Sequence, residues 1–167
     1  FDCVVQLFTN TLFQPGMFMC RDALEAVGWL DPGLHYVMDW DLWYRLWLGG
    51  YRFQSLPGIP LARYRYWSDA KSVSRPIGFV LERLQVLDRL YDRPDLPPAM
   101  GAARAEAYYY AHMGVGLQYH LLGQVQAAQA HVVKALEWSH HIRGPLPDWS
   151  FLAPSLVGEP QFENCAQ

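Results

Sequence analysis

The residues best suited to chemistry lie in Met38-Asp39-Trp40-Asp41-Leu42-Trp43-Tyr44-Arg45, where two carboxylates two positions apart open an apolar run with helical spacing. The first turn of a helix carries N–H groups without intrahelical partners, and these favour negative charge. Two readings of the residues stand side by side. In one, Asp39 is the N-cap and Asp41 pairs with Arg45 one turn on. In the other, Asp39 is a general base and Asp41 a ligand or orienting group. The spacing alone does not choose between them.

A second group lies downstream. From Tyr51 to Arg75 the cations Arg52, Arg63, Arg65, Lys71 and Arg75 face the single acid Asp69, in a chain whose formal net charge is −3. In a strand Arg63 and Arg65 share a face. An arginine pair beside Lys71-Ser72 suits a diphosphate or another anion, although an edge strand blunted by charge has the same composition. A carboxylate site next to an anion site is what a transferase with a phosphorylated leaving group requires. Trp40 and Trp67 are candidates for stacking on the apolar face of a sugar, whereas Trp43 and Trp47 read as core.

Other chemistry is disfavoured. Cys3, Cys20 and Cys165 are scattered and lack a CxxC pair, so neither a zinc ribbon nor a disulfide framework is indicated, and reduced thiols are expected. His112, His120, His131, His140 and His141 show no His-x-x-x-His spacing, and metal binding by them is not expected. A pI near 6.0 offers no global field for nucleic acid. Tyr108-Tyr109-Tyr110 lacks the interleaved basic residues of a base-stacking platform, so it reads as core.

The elements that must position these groups can be read in outline. The chain has 167 residues, 51% of them hydrophobic and 17% charged, enough for one ordinary domain or two small pieces and incompatible with disorder as the main state. Its apolar runs fall short of the roughly 20 residues that span a bilayer. The start, without Met and with strand-like Phe1 to Phe8, leads us to expect a cropped chain. Arg21 to Val27 predicts a short helix closed by Gly28, and Trp40 to Leu48 a helix stopped by Gly49-Gly50. Tyr51 to Leu56 and Leu61 to Tyr66 predict strands around the turn Pro57-Gly58-Ile59-Pro60. Ser74 is the expected N-cap, with Pro76 in the first turn, of a helix whose face is Ile77, Val80, Leu84, Leu87 and Tyr91. Arg93 to Pro98 reads as a linker, followed by helices over Ala99 to Leu122 and Val125 to Ile142 joined at Gly123. From Pro145 a poorly ordered tail is expected, with Trp149 and Phe151 docked on the body.

Four pieces also carry a resemblance. They are Asn10-Thr11-Leu12-Phe13-Gln14-Pro15-Gly16-Met17-Phe18-Met19, Val27-Gly28-Trp29-Leu30-Asp31, Leu34 to Leu46 around Asp39-Trp40-Asp41, and Leu61-Ala62-Arg63-Tyr64-Arg65 with Lys71-Ser72. In order and spacing over residues 10 to 75 they resemble the middle of bacterial family 2 glycosyltransferases. The resemblance implies an α/β fold (α+β in the cropped chain). Residues 1–75 would be the acceptor-side half of a GT-A domain, 76–144 a helical extension and 145–167 the tail. It implies inverting transfer of a sugar from a nucleotide-sugar donor to the hydroxyl of a glycan or lipid-linked acceptor, in bacterial surface polysaccharide or glycan synthesis. Asp39 would be the base. Asp41, Trp40 and Gln14 would bind or orient the acceptor, and Arg63, Arg65 and Lys71 would face the diphosphate. Met38 stands where many members have Glu, and Trp67 where many have His, which puts a metal role for that loop in doubt. Mg²⁺ or Mn²⁺ is expected for the intact enzyme but none for this fragment, because the family's metal-holding Asp-x-Asp belongs to a donor half expected upstream. The fragment alone is therefore expected to be inactive, and a cytoplasmic place, free or at the inner face of the membrane, is implied, with no transmembrane segment and no nucleic-acid partner.

Gly116, Tyr119, Gly123, Ala128 and Ala135-Leu136 resemble one tetratricopeptide-like helical hairpin. A single such unit cannot bury its face alone. It would pack on the helix of residues 76 to 91, or dock a protein partner. The second function class is accordingly a non-catalytic protein-interaction module.

Overall fold

The computed structural model describes residues 1–56, 58, 60–63 and 67–144. Among them every regular element is helical and no strand is present. This corrects the α/β expectation: residues 1–75 are not half of a GT-A domain. The physical reasons are local. At the start, Asp2 Oδ1 accepts the N–H groups of Val4 and Val5 at 2.9 and 3.1 Å, a side-chain cap that turns the expected strand into helix α1, Cys3–Gln6. Tyr51 to Leu56 and Leu61 to Arg63 are irregular. An isolated two-stranded hairpin is marginal in water, and Phe53 finds burial without a ladder, edge-on to Trp43 at 6.0 Å and stacked on Phe1 at 4.5 Å. The expected strand end at Tyr64 to Tyr66, with Arg65, lies outside the described residues, as do Cys165 and the tail with Trp149 and Phe151.

The chain divides into two compact units, Phe1–Arg104 and Ala105–Gln167. In the first, α2 (Arg21–Val27) and α3 (Met38–Leu48) share a core of Ala23, Leu24, Leu42, Trp43 and Leu46, with Leu12, Met17, Val27 and Phe53 packed against it. Gly28 ends α2 at φ +79°. Helix α3 starts two residues earlier than its spacing predicts, with Val37 in the cap position, so Asp39 lies inside the first turn. A short α4 (Lys71–Ser74) precedes α5 (Pro76–Tyr91). Ser74 closes α4 by donating its hydroxyl to the Ala70 carbonyl, and Arg75 takes the cap position ahead of Pro76. The buried face of α5 is Glu82, Val86, Leu87, Leu90 and Tyr91, rotated from the expected one so that Ile77, Val80 and Leu84 are only half-buried. The helix expected from Ala99 is broken at Ala103 into α6 (Pro98–Ala102) and α7 (Arg104–Leu121), next to Gly101, a weak helix former.

In the second unit α7 turns into α8 (Val125–Ser139) at Gly123, where the spacing places the joint. Gly123 has φ +73° and its N–H bonds to the His120 carbonyl, while the Gln124 N–H reaches back to Tyr119, a glycine C-cap. A Cβ on Gly116 would stand 3.3 Å from the Ala128 carbonyl oxygen, so the two helices meet there backbone to backbone. Ala128 and Ala135 are fully buried. Tyr109, Met113 and Ala135 form the centre, flanked by Leu117, Val132 and Trp138.

Candidate active site at the start of α3

Asp39 is half-buried in the first turn of α3. Its Oδ2 accepts from Asn10 Nδ2 at 2.9 Å, and its Oδ1 accepts the Trp40 N–H at 2.9 Å. Asn10 is itself oriented: its Oδ1 accepts from Gln6 Nε2 at 3.1 Å and from the Leu12 N–H at 3.3 Å. Gln6, fully buried at the end of α1, accepts from the Thr11 hydroxyl at 2.7 Å and the Thr11 N–H at 3.0 Å. A relay thus runs from α1 through the loop 10–12 to the carboxylate. Burial pushes the Asp39 carboxyl above its usual range, and the bonds from Asn10 and Trp40 hold part of that rise back. No ion pair to Asp39 occurs among the described residues. The result is a carboxylate with raised proton affinity and a fixed direction.

Asp41 has a different role. Successive helical residues are about 100° apart, so positions two apart face nearly opposite ways. Asp41 Oδ2 accepts from Arg45 Nε and Nη2, both at 2.8 Å. Arg45 in turn donates to the carbonyls of Val27 and Gly28 at 2.7 Å each and of Trp29 at 2.9 Å, closing the C-terminal end of α2. The helix-pairing reading is therefore realised for Asp41, and the N-cap reading is not realised for Asp39. Asp41 lines a cleft of about 460 Å³ with Trp29, Tyr44, Arg89 and Arg93. Asp39 borders neither this cleft nor the apolar groove of about 600 Å³ between Leu12, Phe18, Trp43 and Leu56.

The remaining predicted residues are dispersed. Trp40 is buried, and the Arg83 guanidinium covers one face of its indole at 5.2 Å, so that face is closed to a sugar. Gln14 begins a 3₁₀ turn, Gln14–Gly16, and no hydrogen bond among the described residues joins it to Asp39. Lys71 Nζ sits 3.4 Å from the His35 carbonyl oxygen and 5.9 Å from the centre of the Tyr36 ring, bound to the loop before α3. Arg63 is exposed, no hydrogen bond or ion pair among the described residues joins it to Lys71, and Arg65 lies outside them. Among the described residues there is no group of three or more His, Cys, Asp or Glu side chains that could hold a metal ion. Mg²⁺ or Mn²⁺ thus finds no fitting donor set among the described residues. Sequence reasoning missed Gln6, Asn10 and Glu82. Glu82 left no signal, because at about 100° per residue it falls nearly opposite the apolar face read from the sequence and is buried only on the rotated face that α5 presents.

Among the described residues no helix is long and apolar enough to cross a membrane. No family model matches the chain, and neither a curated protein nor a solved structure matches it.

Proposed function

We propose that the chain acts in glycosyl transfer, with Asp39 as the base that takes the proton from an acceptor hydroxyl. The observation that carries this reading is the half-buried Asp39 carboxylate, directed by Asn10 and raised in proton affinity by its burial. A sugar hydroxyl is a poor nucleophile, so a carboxylate within hydrogen-bond reach must accept its proton as the oxygen attacks. The new bond joins acceptor oxygen to anomeric carbon, the bond from that carbon to the donor's phosphate oxygen breaks, and the proton stays on Asp39. Attack opposite the leaving group inverts the anomeric centre.

The nucleotide-sugar donor and the glycan or lipid-linked acceptor are taken from the resemblance to family 2 glycosyltransferases, as is a place in surface polysaccharide or glycan synthesis at the cytoplasmic side. Arg63 and Arg65 are the proposed contacts of the diphosphate. The proposal concerns a helix-borne acceptor site and takes no sheet with it. In the full reading frame, screened against nucleotide sugars, Asp39→Asn lowers kcat by about 10² to 10⁴-fold with the fold retained by circular dichroism. Wild-type turnover in that variant contradicts the proposal.

A second reading, a tetratricopeptide-type interaction module, has its own support. Val125, Val133 and Leu136 on α8 are all exposed and fall within about 80° of one another around the helix. Leu136→Lys would then abolish partner capture with the fold retained by circular dichroism.

A further inference from the structure

We propose that Glu82 is the positioning residue for Asp39: its carboxylate, held out from α5, seats the three peptide N–H groups that lead into α3 and so fixes where the base points. The inference rests on the reading of Asp39 as the base. Glu82 Oε1 accepts the His35 N–H at 2.8 Å, and Oε2 accepts the N–H groups of His35, Tyr36 and Val37 at 3.0, 2.6 and 3.1 Å. Successive N–H groups converging on one point form a concave seat for an anion. Here the anion is a side chain 45 residues further along the chain than Val37. Glu82 is only 8% exposed. Burying a carboxylate is costly unless hydrogen bonds replace its water, and the four bonds from this loop supply that replacement.

The rest of α5 is shaped to the same loop. Gly78, one turn before Glu82, lies so close to Tyr36 that a Cβ would approach its ring to 2.4 Å. Phe79 meets that ring edge-on at 5.0 Å. Leu34 and Val37, on either side of the seated peptides, are buried. Val37 occupies the cap position of α3, and Asp39 follows two residues later. Asp39 is therefore held from two directions: Asn10 orients its carboxylate from the loop after α1, and Glu82 fixes from α5 the backbone two to four residues ahead of it. A reacting group misplaced by 1 Å can lose about 10²-fold in rate, which gives this second hold a catalytic consequence.

The test uses the full chain and three variants. Glu82→Gln keeps the shape but replaces one acceptor oxygen by an NH₂ that faces the peptide donors. It is expected to raise amide exchange at Tyr36 and Val37 at least tenfold, and to move the Asp39 titration midpoint, followed by carboxyl carbon NMR, down toward the usual carboxylate range. With a nucleotide sugar that the wild type turns over, it lowers kcat about tenfold at unchanged KM, whereas a purely structural role would leave the Asp39 midpoint in place. Should Glu82→Gln fail to fold, Glu82→Asp carries the same measurements, since it keeps the charge and withdraws it by one methylene. A folded Glu82 variant with wild-type exchange at residues 35–37 and an unmoved Asp39 midpoint overturns the proposal. Asp39→Asn separates the two failures: wild-type turnover there removes the base and with it the catalytic meaning of Glu82, while loss of turnover there with wild-type kcat in the Glu82 variant removes Glu82 alone.

Discussion

At the scale of residues, one helix start holds two carboxylates in opposite circumstances. Asp41 is neutralised by Arg45, whose guanidinium spans three carbonyls at the end of α2. Arg45→Met removes these charge-assisted bonds and should cost about 2–3 kcal/mol, read as a lower denaturant midpoint. Asp39 has no such partner among the described residues, and Asn10 is its main external donor. Because Asn10 donates to the carboxylate, it favours the charged form. Asn10→Ala should therefore raise the Asp39 titration midpoint further and move the acid limb of turnover upward in pH. Both carboxylates were legible in the sequence, but their division of labour was not. The partners that decide it, Gln6, Asn10 and Glu82, lie far along the chain and are brought close only by the packing of α1 and α5.

At the scale of elements, helices announced by periodicity and glycine stops formed close to where they were expected, except that the one read from Ala99 is broken at Ala103. Leu42, Trp43 and Leu46 line the inner side of α3, and Gly123 turns α7 into α8. Among the described residues the expected strands did not form, because an aromatic-bearing run becomes a strand only beside a hydrogen-bonding neighbour. Phe53 instead buries itself on Trp43 from an irregular segment. The hairpin allows two tests. Gly123→Ala places a Cβ on a residue at φ +73° and should cost about 1–2 kcal/mol. His131 faces His112, with the two Nδ1 atoms 3.1 Å apart, and also faces the Tyr119 ring and the Lys134 ammonium. Burial first, and Lys134 second, lower its pKa from 6.5. A depressed histidine contributes stability above its unfolded value that is lost as pH falls through the folded one. The hairpin should accordingly weaken below about pH 6.5, and His131→Gln should flatten that dependence in thermal melts between pH 7 and 5.

At the scale of the whole molecule, the burial of the Asp39 carboxylate costs stability wherever it is charged. Its folded pKa lies above the ordinary value of 3.8, so the native state binds the proton more tightly than the unfolded chain, and stability falls as pH rises through that window. Asp39→Asn removes the titration while keeping an oxygen for Asn10 to donate to. The variant should therefore melt higher than wild type at neutral pH, with the difference fading below about pH 4. The most direct measurement of the central claim follows turnover of a nucleotide sugar by the full reading frame against pH, beside the NMR titration of Asp39 in the same protein. The account predicts an acid limb in kcat that coincides with the Asp39 midpoint, above the usual carboxylate range, and its disappearance with activity in Asp39→Asn. An acid limb that persists unchanged in that variant, or an Asp39 that titrates as an ordinary exposed carboxylate, contradicts it.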